Sequence, residues 1–137
     1  MRLMVIIAIV TCFVATGCTN AENNITSAQV KEVFSKHGIL LIEETESNPN
    51  AVFSRAYNGV LPERFIFNGQ LISLYVYRSS REAEKGIKDF EKKTATAGVE
   101  AHNRYHISNI VLYDVIDVEY PDKRVVTAVQ ELKSLSS

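Results

Sequence analysis

Two histidines four residues apart, His102 and His106 in "GVEAHNRYHIS", are the first side chains here with the makings of a metal or proton-transfer site. On a helix that spacing puts both imidazoles on one side, as a zinc ion needs. The stretch instead leads into an apolar run of strand character, and in extended chain four residues span roughly 13 Å, too far for one ion. No acid stands between them in the manner of a helical HExxH motif, so an ordinary loop pair is the simpler reading. Asp114, Asp117 and Glu119 follow. Asp117 and Glu119 share a strand face and have the spacing for calcium ligands or paired carboxylates, functions that need converging oxygens. The stretch lacks the glycine and dense alternating acids of a calcium loop, which points to solvated carboxylates at a strand end. Glu43, Glu44 and Glu46 precede a turn and read as solubility charges. Ser79 and Ser80 sit in no G-x-S-x-G elbow, and helix capping accounts for Ser79. His37 falls at a helix carboxyl end, where packing or the helix dipole would use it.

A different chemistry belongs to Cys18. The chain opens with Arg2, continues through an apolar stretch at residues 3–14, and closes it with the small residues Ala15, Thr16 and Gly17. That order is the plan of a secretory signal peptide. The uncharged run falls short of the roughly 20 residues a membrane-crossing helix needs. Cys18 comes next. Ala15-Thr16-Gly17-Cys18 resembles the lipobox of bacterial lipoproteins, usually Leu-Ala/Ser-Gly/Ala followed by cysteine, with Ala15 standing where leucine is commonest.

The resemblance implies that the Cys18 sulfur receives a diacylglycerol and that a dedicated signal peptidase cuts before Cys18. Two acyl chains hold stably where one holds only marginally, because each buried methylene contributes about 0.8 kcal/mol. It also implies an extracytoplasmic, lipid-anchored location on the cell membrane. Residues 1–17 would be the signal peptide, 18–25 the lipidated cysteine with a polar tether, and 26–137 a single domain. The other cysteine, Cys12, would leave with the signal peptide, so no internal disulfide is available and a packed core must supply stability. The remaining 137 − 17 = 120 residues suffice for one such core. Without Arg2, 14 basic side chains face 16 acidic ones with no basic block, which leaves nucleic-acid binding unsupported.

The elements that must carry these residues follow from periodicity. Thr26 and Gln29 have capping-box spacing, Ile25 and Val30 occupy staple positions, and Val30, Val33, Phe34 and His37 line one face of a helix over 27–37 that Gly38 ends. Strands are expected at 39–44, at 51–57, and on both sides of Asn68-Gly69, a hairpin signal because both residues must adopt positive φ. Ser79 and Glu82 open a second helix with Ala83, Ile87, Phe90 and Thr94 on one side. Gly86 weakens that helix by about 1 kcal/mol relative to alanine. Residues 98–106 read as loop, and 107–120 as the most apolar strand, covered on both faces. Val125, Ala128, Val129, Leu132 and Leu135 define a third helix, with Asp122 at its start. The expected architecture is a single α+β domain in the order α-β-β-β-β-α-β-α, with a mainly antiparallel sheet of four to five strands.

Aromatic side chains are the remaining feature. In 71–77, Ser73, Tyr75 and Tyr77 alternate with Ile72, Leu74 and Val76, so one set faces the core. If Tyr75 and Tyr77 share the outer face with Phe65 or Phe67, the sheet presents an amphipathic contact surface. The alternative is that a helix covers it. No catalytic constellation and no cofactor motif emerges. The expectation is therefore a non-enzymatic interaction or assembly module, bound to membrane lipid through acylated Cys18 and to an envelope protein partner. The rival is a small-ligand binder or hydrolase using His102, His106 and the acids near Asp117.

Overall fold

Local capping signals set the helices. The computed structural model describes residues 23–46, 51–116 and 121–137. Helix α1 (Ser27–Lys36) starts with the expected capping box, in which the Gln29 amide N–H donates to Thr26 Oγ1 at 3.2 Å and the Gln29 side chain accepts from the Thr26 N–H at 2.9 Å. Ser79 caps α2 (Ser80–Thr94), and Asp122 caps α3 (Lys123–Ser136) by accepting from the Arg124 N–H. Gly38, with φ of 77°, lets the chain leave α1.

Five antiparallel strands form one sheet: β1 (Ile42–Glu43), β2 (Glu63–Phe67), β3 (Gln70–Val76), β4 (His102–Ile107) and β5 (Ile110–Val115), in the spatial order β1-β2-β3-β5-β4. The architecture is the α+β domain the periodicities imply. Asn68 and Gly69 make the β2–β3 turn with φ of 49° and 74°, as the hairpin signal requires. Helix α2 connects β3 to β4, which lie on either side of β5.

Helices cover both faces of the sheet. On one, α1 and α3 pack over Phe65, Phe67, Ile72, Leu74, Ile107, Ile110 and Leu112. On the other, α2 packs over Tyr75, Tyr77, Val111, Tyr113 and Val115 together with Phe53 and Tyr57. Every residue of β5 is buried, as its continuous apolar run predicts.

Three expectations change. The strand expected at 39–44 is reduced to the two residues of β1, Ile42 and Glu43, which pair with Ile66 and Phe65. Residues 51–57 do not form a strand; they make a 3-10 turn, Val52–Ser54, within a segment that runs over β3 on the α2 side of the sheet. Their backbone is held by side chains of the face beneath. Ser73 Oγ donates to the Phe53 carbonyl at 2.8 Å, Tyr75 Oη to Arg55 at 2.8 Å, and Tyr77 Oη to Tyr57 at 3.2 Å. Residues 102–106, expected as loop, form the edge strand β4, paired to β5 through a turn at Ser108 and Asn109. The expected long strand at 107–120 is therefore the end of β4, that turn, and β5. Its last positions, Asp117 and Glu119, fall outside the described residues.

Candidate functional site

Residues 23–25 are held in a socket built around Asn109. This side chain is almost wholly buried and makes three hydrogen bonds. Its Oδ1 accepts from the Ile25 N–H at 2.6 Å, and its Nδ2 donates to the carbonyls of Ile25 and Tyr77, each at 3.0 Å. Ser108 Oγ donates to the Asn23 carbonyl at 3.3 Å, and Asn24 Nδ2 to the Arg78 carbonyl at 2.9 Å. Ile25 itself lies in the core shared by α1 and α3. The boundary expected after residue 25 thus moves: Ile25 belongs to the domain, because its side chain is core and its backbone is clamped. Cys18 and the small residues Ala15, Thr16 and Gly17 lie outside the described residues.

Around this junction the surface is formed by the start of α2 and the turn before β2. Asn58 and Gly59, with φ of 48° and 74°, make that turn. Asn58 holds it against α2 by donating its N–H to Asp89 Oδ2 at 2.8 Å and its Nδ2 to Glu82 Oε2 at 2.9 Å. Both carboxyls sit below the usual range: Asp89 through its bonds from Asn58 and Lys93, Glu82 through those from Lys85 and Asn58. A shallow hollow of about 280 Å³ separates the turn from Tyr77, Arg78 and Glu82. Arg78 and Arg81 are exposed, and Leu61, just after the turn, is 71% exposed.

The aromatic residues proposed as one contact surface are divided between the two cores. Phe65 and Phe67 are buried beneath α1 and α3, and Tyr75 and Tyr77 beneath α2 and the segment 51–57. The expected exposed face is absent because helices cover both sides of the sheet. Tyr75 packs edge-on to Tyr113 at 5.8 Å between centroids, and Phe90 stacks on Tyr113 at 4.6 Å. Burial pushes the phenols of Tyr75, Tyr77 and Tyr113 well above their usual range, so they are hydrogen-bonding groups rather than acids.

Among the described residues the candidate histidines and Asp114 do not converge. His102 and His106 occupy the α2 side of edge strand β4, opposite Val115 and Val111. Each imidazole meets a nearby backbone carbonyl, His102 Nδ1 that of Glu100 and His106 Nε2 that of Ser108, both at 2.8 Å. His102 also packs against Phe53, Phe90 and Tyr113. Asp114 points to the other side, in register with Ile72 and Asn103. It is fully buried; one oxygen accepts from Gln70 Nε2 at 3.1 Å, and the other has no partner among the described residues. Burial, aided by Asp122, raises its pKa to about 6. Among the described residues, no three His, Cys, Asp or Glu side chains are grouped as a metal ion would need.

The remaining candidates serve the fold. His37 Nε2 lies 2.6 Å from Glu131 Oε2, joining α1 to α3. Glu43 pairs with Lys31 at 3.4 Å. Glu44, expected as a solubility charge, pairs with the largely buried Arg64, which also donates to Ser54 Oγ at 2.7 Å and to the Glu46 carbonyl at 3.0 Å. Arg64 thereby ties the first strand, the second and the segment 51–57 together. Sequence reasoning missed both Arg64 and Asn109. The Ser108-Asn109 pair between apolar runs was the available turn signal for the latter.

No known protein family, curated protein or solved structure matches this chain.

Proposed function

We propose that this chain is a bacterial lipoprotein, tethered through acylated Cys18 to the extracytoplasmic side of the cell membrane, whose domain is a non-enzymatic interaction or assembly module of the envelope. The observation that carries the reading is Ala15-Thr16-Gly17-Cys18 at the end of a charged start and an apolar run. The core position of Ile25, seven residues beyond Cys18, agrees with it, since a lipid on Cys18 would lie close to the domain. Among the described residues no helix is long and apolar enough to cross a membrane. The module reading draws support from the described candidates, since His102 and His106 lie on one side of the sheet and Asp114 on the other; Asp117 and Glu119 lie outside the described residues. A hydrolytic or ligand-binding site of the rival kind needs such groups within hydrogen-bond reach of one another or of one substrate.

Fractionation of cells of the native host tests the reading. The chain is expected in the membrane fraction and released by detergent, while Cys18→Ala becomes soluble or accumulates uncleaved. A Cys18→Ala chain still cleaved to the mature length and still membrane-bound would overturn it.

A further inference from the structure

We infer that the surface around the chain junction, formed by Leu61, Arg78 and Arg81, lies against the lipid headgroups, with the arginines recognising anionic lipid. The inference rests on the lipoprotein reading and adds an orientation to it. Cys18 and Asn23 are five residues apart, and five residues span at most about 18 Å in any conformation. A domain of this size has a radius of gyration of about 13 Å and is some 30 Å across, so the end opposite the attachment point cannot reach the bilayer and the surface near that point is held against it. Asn109, Ser108 and the Arg78 carbonyl fix which surface that is, because they hold residues 23–25.

That surface has the chemistry of an interfacial contact. Leu61 is among the most exposed large apolar side chains of the described residues, at 71%. It follows Val60, which lines the same hollow as Arg78. Arg78 accepts from Asn24 through its backbone carbonyl, and its side chain is exposed, as is that of Arg81 in the first turn of α2. Glu82, which lines the hollow, is engaged by Lys85 at 2.7 Å and by Asn58 and also feels Arg81. Glu63 at the start of β2 and Glu84 in α2 are exposed acids nearby, so what the arginines offer a phosphate is the fork geometry of two exposed guanidiniums and not a net excess of charge. Guanidinium forks match phosphate oxygens, and an apolar side chain between them fits the boundary of headgroup and acyl chain. The opposite end, with the Asn68-Gly69 turn and the carboxyl end of α2, faces away from the lipid.

The chain has no tryptophan, so a single introduced indole reports one position. Leu61→Trp and Thr96→Trp place it at the junction end and just past the carboxyl end of α2, both at exposed sites. The full lipidated chain is reconstituted into phosphatidylcholine vesicles with brominated acyl chains, with and without phosphatidylglycerol, and flotation is measured alongside quenching. Several-fold stronger quenching at position 61 than at 96 is expected, reduced when phosphatidylglycerol is omitted or when Arg78→Gln and Arg81→Gln are combined. Equal quenching at both positions in a chain that floats overturns the orientation while leaving the tether intact. Quenching at 61 indifferent to phosphatidylglycerol and to both arginines overturns the headgroup recognition. A chain that does not float overturns the tether, and the orientation with it.

Discussion

The phenolic oxygen of Tyr75 donates to the backbone carbonyl of Arg55 at 2.8 Å. It is the middle rung of a ladder in which alternate residues of β3, Ser73, Tyr75 and Tyr77, each reach a residue 20 positions earlier, namely Phe53, Arg55 and Tyr57. The segment 53–57 therefore runs along β3 on top of its face, satisfied by side-chain hydroxyls instead of a strand ladder. Tyr75→Phe keeps the ring packing and removes one rung, leaving the Arg55 carbonyl without that donor. Urea unfolding should show a loss of about 1 to 2 kcal/mol. Unchanged stability would mean that the ladder does not hold the segment.

Gly86 is the residue on which helix propensity and packing disagree. Propensity alone assigns Gly86→Ala a gain of about 1 kcal/mol. A Cβ at this position would lie 2.1 Å from Tyr77 Oη and 2.3 Å from its Cζ. The ring cannot withdraw without giving up its bond to the Tyr57 carbonyl, so the overpacking term, about 1 to 3 kcal/mol, should outweigh the propensity. Thermal denaturation is expected to show a lower Tm for Gly86→Ala, with a smaller further loss when Tyr77→Ala is added than Tyr77→Ala causes alone.

Asp114 gives the fold a pH dependence of unusual sign. Its folded pKa is about 6, above the ordinary carboxylate value, so the folded state holds its proton more tightly than the unfolded chain. The associated stability is fully present below about pH 4 and is lost as pH rises through 6, a loss on the order of 2 to 3 kcal/mol. Glu82, Asp89, Asp122 and Glu131 have depressed pKa values, so their contributions fall away only in stronger acid. Asp114→Asn should be the more stable protein at pH 7.5, and the difference should shrink towards pH 5. Unfolding free energies of the pair across that range check the slope; parallel curves would contradict it.

Asn109→Ala removes three hydrogen bonds at once and leaves the Ile25 N–H and the Tyr77 carbonyl to find other partners. A loss of about 2 to 3 kcal/mol is expected, with faster amide exchange at Ile25 and easier proteolysis beside it. Protection at Ile25 unaltered by the substitution would show that the socket is not what fixes the junction.

The helices were readable because their signals are local: Thr26 with Gln29, Ser79 and Asp122 cap within their own turn, and the apolar faces repeat within each helix. Strand β4 was not, since His102, Asn103, Arg104 and Tyr105 carry polar atoms to both faces of an edge and show no period of two. Residues 51–57 have strand-like composition, but their partners are hydroxyls of a strand that comes later in the chain. Alternation in β3 correctly placed Tyr75 and Tyr77 on one face, yet a period of two says nothing about what covers that face. It also cannot say that Phe65 and Phe67 lie on the other. Asn109 acts on Ile25, 84 residues away, a tertiary relationship without a local trace.

The most direct measurement of the central claim is the intact mass of the chain extracted from the membranes of its native host. A chain beginning at Cys18 and carrying the added mass of a diacylglycerol is the predicted result. A chain cut elsewhere, or one beginning at Cys18 without acyl mass, would contradict the lipoprotein reading.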